Sequence, residues 1–324
     1  MSAHRSILSL ACLAVALTAT SVRAHCEEFP ARPVHVVVQT AAGSALDALA
    51  RLVNQQLSEI WGKEVIIVNQ AGAGGLNAAR ATAAAAPDGY TLFLAGGSVF
   101  VALPELHHNL PFDVSDFVPI GFVAEQPYAI LASKRLAVKS LPELVALSRK
   151  TPGGLDAVAG TVGGLQHLTA EAFKERSGAR LNMIHYPGTE AALSDVISGR
   201  VPVMFQTLLP VAGVVASGEV KLLAVASPSR LPNYPDLPTV AETLPGFTAS
   251  GWSILVAPHG TPAPIVQKIN ADLRTALSRP ALLQKFRDLG NYTRSMSPAE
   301  LADFVRSERH VWGPIVRQVQ SGPK

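Results

Sequence analysis

Strand-like aliphatic runs alternate with amphipathic segments along almost the whole chain, and this rhythm constrains the fold more than any other feature. Val34–Gln39 is a short β-rich run. After it Leu46, Leu49, Val53, Leu57 and Ile60 recur at spacings of three and four, one face of a helix. Val65–Asn69 and Thr91–Ala95 read as strands around a helical Leu76–Ala86. Leu155–Ala159 precedes a helical Leu165–Arg176, Leu181–Tyr186 precedes a helical Thr189–Ser198, and Val201–Phe205 and Lys221–Ser227 are further strands. Such alternation predicts an α/β fold whose mainly parallel sheets carry helices on both faces. Ser140-Leu-Pro-Glu143 and Ser297-Pro-Ala-Glu300 are capping-box patterns that start helices. Proline-rich irregular stretches are expected at Phe112–Glu125 and Ser227–Gly251. They predict two lobes with the middle of the chain inserted into the first: residues 25–124 with 228–324, and 125–227.

Composition removes several alternatives. With 48% hydrophobic and 16% charged residues, the chain has the apolar content to bury a core, which disordered segments lack. Two cysteines in 324 residues exclude a disulfide framework, and a net charge of +3 provides no basic field for nucleic acid. Residues 1–24 read as a secretory signal: Arg5 in a short charged start, an uncharged apolar run from Ile7 to Ala19, then Val22-Arg23-Ala24 as cleavage site. That run is too short to span a bilayer, which takes about 20 helical residues. The mature chain is therefore expected to be exported and soluble. Removal takes Arg5, Arg23 and Cys12 and no acid. It leaves 25 basic against 24 acidic residues, and Cys26 as the lone thiol. His25 lacks the small size that a lipoprotein site needs before its cysteine.

Where chemistry could sit is marked by glycine-containing turns that follow a strand and open a helix. Ala41-Ala42-Gly43-Ser44-Ala45-Leu46-Asp47 follows the first strand, Gly72-Ala-Gly74-Gly75 the second and Gly96-Gly97-Ser98 the third. Gly160-Thr-Val-Gly163-Gly164 and Tyr186-Pro-Gly188-Thr189 recur later. Amides at a helix N-terminus with the macrodipole favour an anion, and such turns share the carboxyl edge of a parallel sheet. Ser44 and Asp47 fit a helix cap, and Asp47 also stands where it could orient a polar ligand group. His167 is placed either to donate to a ligand or to bond locally. His107-His108 lacks a third ligand at metal spacing. No G-x-S-x-G elbow, Walker A loop or H-E-x-x-H helix occurs, so no catalytic residue, metal or cofactor is assigned. Gly72-Ala-Gly74-Gly75-Leu-Asn77 departs from a dinucleotide fingerprint at its third glycine.

Several short motifs, in order and spacing, resemble the Bug receptors, the substrate-binding proteins of tripartite tricarboxylate transporters. They are Ala86-Pro-Asp-Gly-Tyr-Thr-Leu92, Leu110-Pro-Phe-Asp113 with Asp116-Phe117, Pro235-Asp-Leu-Pro-Thr-Val-Ala-Glu242, Pro245-Gly-Phe247 and Pro258-His-Gly-Thr-Pro262. The resemblance covers residues 29–320. It implies a two-lobed periplasmic binding protein that closes on a small carboxylate, held by loop amides and water, and hands it to membrane permease subunits. A monomer without cofactor is expected, and sensing for a membrane kinase or an exported enzyme are the alternative roles. By resemblance the ligand loops map onto Ala42, Gly43, Ser44 and Asp47, then Gly163, Gly164 and His167, then Gly188 and Thr189, with Gln206 as a further contact; Ser98 joins them from the turn after the third strand. Three positions depart from the family's pattern: Gln39-Thr40-Ala41-Ala42-Gly43-Ser44 in the first loop, Gly164-Leu165-Gln166, and Gln206 where an acid is common. Mass spectrometry of the exported chain should find an N-terminus at His25; retention of residues 1–24 would contradict the signal assignment.

Overall fold

A computed structural model describes residues 29–320 apart from His108, Thr161, Gly163 and Pro187, and the body of the fold begins at Arg32. The predicted signal segment and Cys26 lie outside the described residues. Strand β1 (Val34–Val38) buries all four of its valines, as a strand covered on both faces must. It leads into α1 (Ala45–Trp61), whose Leu49, Val53 and Leu57 are buried at helical spacing and which ends at Gly62 in the left-handed region. Then come β2 (Val65–Asn69), α2 (Leu76–Ala83) and β3 (Thr91–Gly96), followed by the short α3 (Ser98–Val101) and α4 (Leu103–Leu106). Both β2 and β3 pair with β1 in parallel.

The chain next forms one long strand, β4 (Phe117–Ser133). After it come α5 (Leu141–Lys150), β5 (Leu155–Val158), α6 (Leu165–Ser177), β6 (Leu181–Ile184), α7 (Thr189–Ser198), β7 (Val203–Thr207), α8 (Ala212–Ala216) and β8 (Val220–Val225). Strand β9 (Ser250–Pro258) and helices α9 (Ala263–Leu277), α10 (Pro280–Asp288) and α11 (Pro298–Gln320) complete it. Strand order is β2-β1-β3-β9-β4-β7-β5-β6, with β8 also on β4. The β1–β3 trio and the β5–β7 trio are parallel, joined through antiparallel β4 and β9.

Strand β4 corrects the expectation of an irregular stretch at Phe112–Glu125. Only Asp113–Asp116 forms a tight capped turn; from Phe117 the backbone is extended through Pro119 and Pro127. Along Phe117–Pro127 the ladder runs to β9, with a single bridge from Glu125 to Tyr292 on the other side, and from Tyr128 onward it runs to β7 and β8. A proline lacks the N–H that a second neighbouring strand would require, so it is tolerated on this one-sided stretch. The register slips around Pro119 and Gly121.

Between Ser227 and Gly251 the irregular reading holds, with one short turn of helix at Val240–Glu242 closed by a Thr239–Glu242 capping box. Helix α11 packs across β4, α3 and α4 and reaches α6. Beneath it Trp252 stacks on Phe100, with ring centres 6.1 Å apart at 15°, and meets Phe304 edge-on at 5.2 Å. Burying each large apolar side chain here contributes about 1.5–3 kcal/mol. Glu308 accepts hydrogen bonds from the indoles of both Trp252 (2.7 Å) and Trp312 (3.0 Å), and burial pushes its carboxyl up against them. Glu308→Ala would leave two buried donors unsatisfied, at about 1–3 kcal/mol each. Its melting temperature should fall clearly below that of Glu308→Gln, which keeps an acceptor; equal melting would contradict this tie.

Candidate functional site

A cavity of about 330 Å³ opens where the turns after β1 and β3 meet β4 and β9. Thr40, Ser44, Ala45 and Leu46 line it from the first turn, and Gly96, Gly97 and Ser98 from the second. Ala124, Gln126, Gly251, Trp252 and Ser253 come from the paired strands, and Leu165 from the start of α6. A second, smaller hollow of about 140 Å³ lies at the carboxyl ends of β5 and β7. Gly160, Gln166, Tyr186, Gly188, Thr189 and Gln206 are among its lining residues.

The first turn is built around Asp47. Ser44 caps α1 by accepting from the Asp47 amide (3.2 Å), and the Thr40 and Ser44 hydroxyls bond each other at 2.6 Å. The buried Asp47 carboxylate accepts from Arg51 Nε (2.9 Å) and a terminal Arg51 nitrogen (3.0 Å), from the Gly43 amide (2.9 Å) and from Asn69 Nδ2 (3.0 Å). Asn69 also donates to the Thr40 carbonyl at 3.0 Å, so β2 braces the loop that β1 launches. Gly43 sits at φ +82°, a backbone conformation for which glycine is suited. What remains facing the cavity is the first turn of α1. There the amides of Ala45 and Leu46 belong to the donors that have no acceptor within a helix.

The second turn is fastened by Gln39, whose Oε1 accepts from the Gly96 amide at 2.8 Å, and by the Gly97 amide donating to the Trp252 carbonyl at 2.8 Å. A Cβ on Gly97 would lie 2.5–2.9 Å from the Trp252 indole ring, so only glycine lets this turn lie flat on the tryptophan. On the other side, Gln206 Nε2 donates to Thr189 Oγ1 (3.2 Å) while its Oε1 accepts from the Thr207 amide (2.8 Å). Gln166 Nε2 donates to the Phe205 carbonyl, and Tyr186 donates to Asp195, which Arg200 also holds.

The sequence-derived candidates therefore separate. Ser44 and Ser98 line the first cavity; Gly188, Thr189 and Gln206 line the second. Ala42 and Gly43 are exposed on the first loop, and Gly164 precedes Leu165 as the cap of α6. Gly163 lies outside the described residues. The Asp47 carboxylate accepts four hydrogen bonds that brace the loop. His167 is buried in α6, 3.8 Å from Glu171 and edge-on to His185 at 4.6 Å between ring centres. Sequence reasoning missed Gln126, Trp252 and Ser253, because they reach the cavity through the β4–β9 register and carry no local motif.

The sequence profile of the tripartite tricarboxylate transporter receptors matches residues 49–320. The chain belongs to that family. Its members include periplasmic solute-binding proteins of two α/β lobes. Protein BugT of Bordetella pertussis is 32% identical over 295 residues, 90% of each chain. Among solved structures, R. palustris Rpa4515 with adipate is 29% identical with a TM-score of 0.78, over 90% of this chain and 99% of that one. MatC from Rhodopseudomonas palustris with bound malate is 31% identical with a TM-score of 0.73, over 89% and 100%. No helix among the described residues of this family member is long and apolar enough to cross a membrane.

The Asp47 brace makes a pH-dependent prediction. Arg51 first, then the Gly43 amide and Asn69, hold its carboxyl down to about 2 from an ordinary 3.8, against the opposing effect of burial. A carboxyl lowered in the folded state stabilises the fold above its unfolded value and loses that contribution as pH falls through the folded value. Asp47→Asn should thus lower stability by about 1–3 kcal/mol at neutral pH, and the gap to wild type should shrink between about pH 4 and pH 2. Denaturant melts at pH 7 and pH 2.5 check this; an unchanged gap would contradict it.

Proposed function

We propose that this chain is a periplasmic receptor that captures a small carboxylate at the first cavity and delivers it to a tripartite tricarboxylate-type membrane transporter. The observation that carries the reading is the placement of the first turn of α1, with the Ala45 and Leu46 amides, at a cavity on the carboxyl edge of a parallel sheet. That is where open α/β sheets bind ligands, and a helix N-terminus favours an anion. Adipate and malate in the family structures named above support the ligand class.

In this reading Ala42–Ser44 and Ser98 form the ligand face of one lobe. Leu165 and the loops carrying Gly163, Gly164, Gly188, Thr189 and Gln206 form that of the other. The lobes exchange at β4 and β9, and the change of β4 partners between Pro127 and Tyr128 supports a hinge there. A ligand touching both faces stabilises the closed arrangement by its differential contacts, and the permease reads closure. Micromolar affinity corresponds to about −8 kcal/mol, within reach of a few charge-assisted hydrogen bonds and water exclusion after ordering costs.

Native mass spectrometry of residues 25–324, with thermal shifts across a wide carboxylate panel, tests the proposal. One small acid per chain, or a saturable stabilisation by a panel member, is the expected result. An empty protein that no carboxylate stabilises would overturn the ligand class.

A further inference from the structure

We propose that a third cavity, formed where the last turn of α9 and the first turn of α10 meet β4 and the segment 293–296, is a second ligand site, for a small organic anion with an apolar body. It shares no lining residue with the first cavity or the smaller hollow, so the proposal stands apart from what those two hold. Its volume of about 220 Å³ is below the roughly 300–1,000 Å³ of drug-sized ligand sites, which suits a single ring or a short chain. Much of the wall is hydrocarbon: Phe122 from β4, Leu273 and Leu277 from α9, Leu283 from α10, and Met296. Gly121 permits the close fit of α9 on the strand, since a Cβ there would lie 2.7 Å from a Leu273 methyl carbon.

Two guanidinium groups line this apolar space, and neither donates a hydrogen bond among the described residues. Arg294 stands 3.6 Å from Glu125, beyond hydrogen-bond range, and its guanidinium lies 4.8 Å from the ring centres of both Phe122 and Phe304, which hold it in place. Arg274 makes no ion pair among the described residues. The acid within its electrostatic reach, Glu300, is bound to the Ser297 amide and hydroxyl, each at 2.8 Å, and does not line the cavity. On the same wall the Thr293 hydroxyl is buried with no partner among the described residues. A buried polar group in that state calls for an explanation, and a ligand oxygen would supply the missing partner. The negative end of α9 is also covered. The Ser278 amide (3.0 Å) and hydroxyl (2.9 Å) and the Arg279 amide (3.2 Å) donate to the carbonyls of Arg274, Thr275 and Ala276 in turn. Two arginines and no acid on the wall select an anion over a cation, and a planar guanidinium matches a carboxylate with two parallel bonds.

Fluorine NMR titration of residues 25–324 with 4-fluorobenzoate tests this. A binding component is expected that Arg274→Glu weakens at least about tenfold, or about 1.4 kcal/mol, and that Arg274→Lys largely keeps. Leu46→Glu, which puts an acid in the first cavity, should leave that component unchanged. Ser295→Glu places an acid at the exposed rim of the third cavity and replaces Arg274→Glu should the melting curve of that variant show a fold defect. Lack of any component sensitive to these substitutions overturns the second site, whether 4-fluorobenzoate fails to bind or Leu46→Glu removes all of its binding. Either result leaves the receptor reading of the first cavity standing.

Discussion

Everything in this fold is hung on the change of partners along β4. Up to Pro127 the strand hydrogen-bonds to β9, and from Tyr128 it pairs with β7 and β8, so one continuous backbone belongs to both halves of the sheet. At the crossing Glu125 is held from two directions. Trp252 pairs with it on β9, and Tyr292 bridges it through bonds of 2.7 and 2.9 Å. The following residue, Gln126, is thereby fixed in the cavity floor opposite Gly251. A covalently continuous crossing sets the spacing between the loops of β1 and β3 and the start of α6, because an extended strand tolerates bending far better than stretching.

Charge is handled by one device in three places. An acid stands behind the wall and aims an uncharged residue into it. Asp47 braces the loop that presents Ser44, Asp195 takes the hydroxyl of Tyr186, and Glu308 takes the indole of Trp252. Asp47 and Asp195 are held below the usual carboxylate range by arginines, while desolvation pushes half-buried Glu308 above it. The acids fix geometry from behind the wall, and the two cavities are lined by glycine, hydroxyl, side-chain amide and hydrocarbon groups.

How much of this was legible depended on the range of the interactions. The cap of α1 could be read because Ser44 and Asp47 are three residues apart, and the buried stripe Leu49, Val53 and Leu57 because helical periodicity is local. Strand β4 was hidden because Pro119, Gly121 and Pro127 are turn residues by composition. Their tolerance comes from a one-sided ladder to a strand more than a hundred residues away. Gln126 and Trp252 were invisible as site residues for the same reason. The role of His167 was open in the sequence; Glu171 one helical turn later and His185 across the loop draw it into the protein.

The sharing of Glu308 by two indoles has an optical consequence. The chain has three tryptophans. Trp61 is held to Asp272 on the far face of α1, whereas Trp252 and Trp312 are bound to the same carboxylate and Trp252 edges the cavity. Two chromophores fixed this close exchange excitation, and a half-buried carboxylate beside both sets their emission colour. A change of surroundings at the Trp252 edge therefore reaches two of the three emitters at once, and the chain's own fluorescence reports on this cavity without a label.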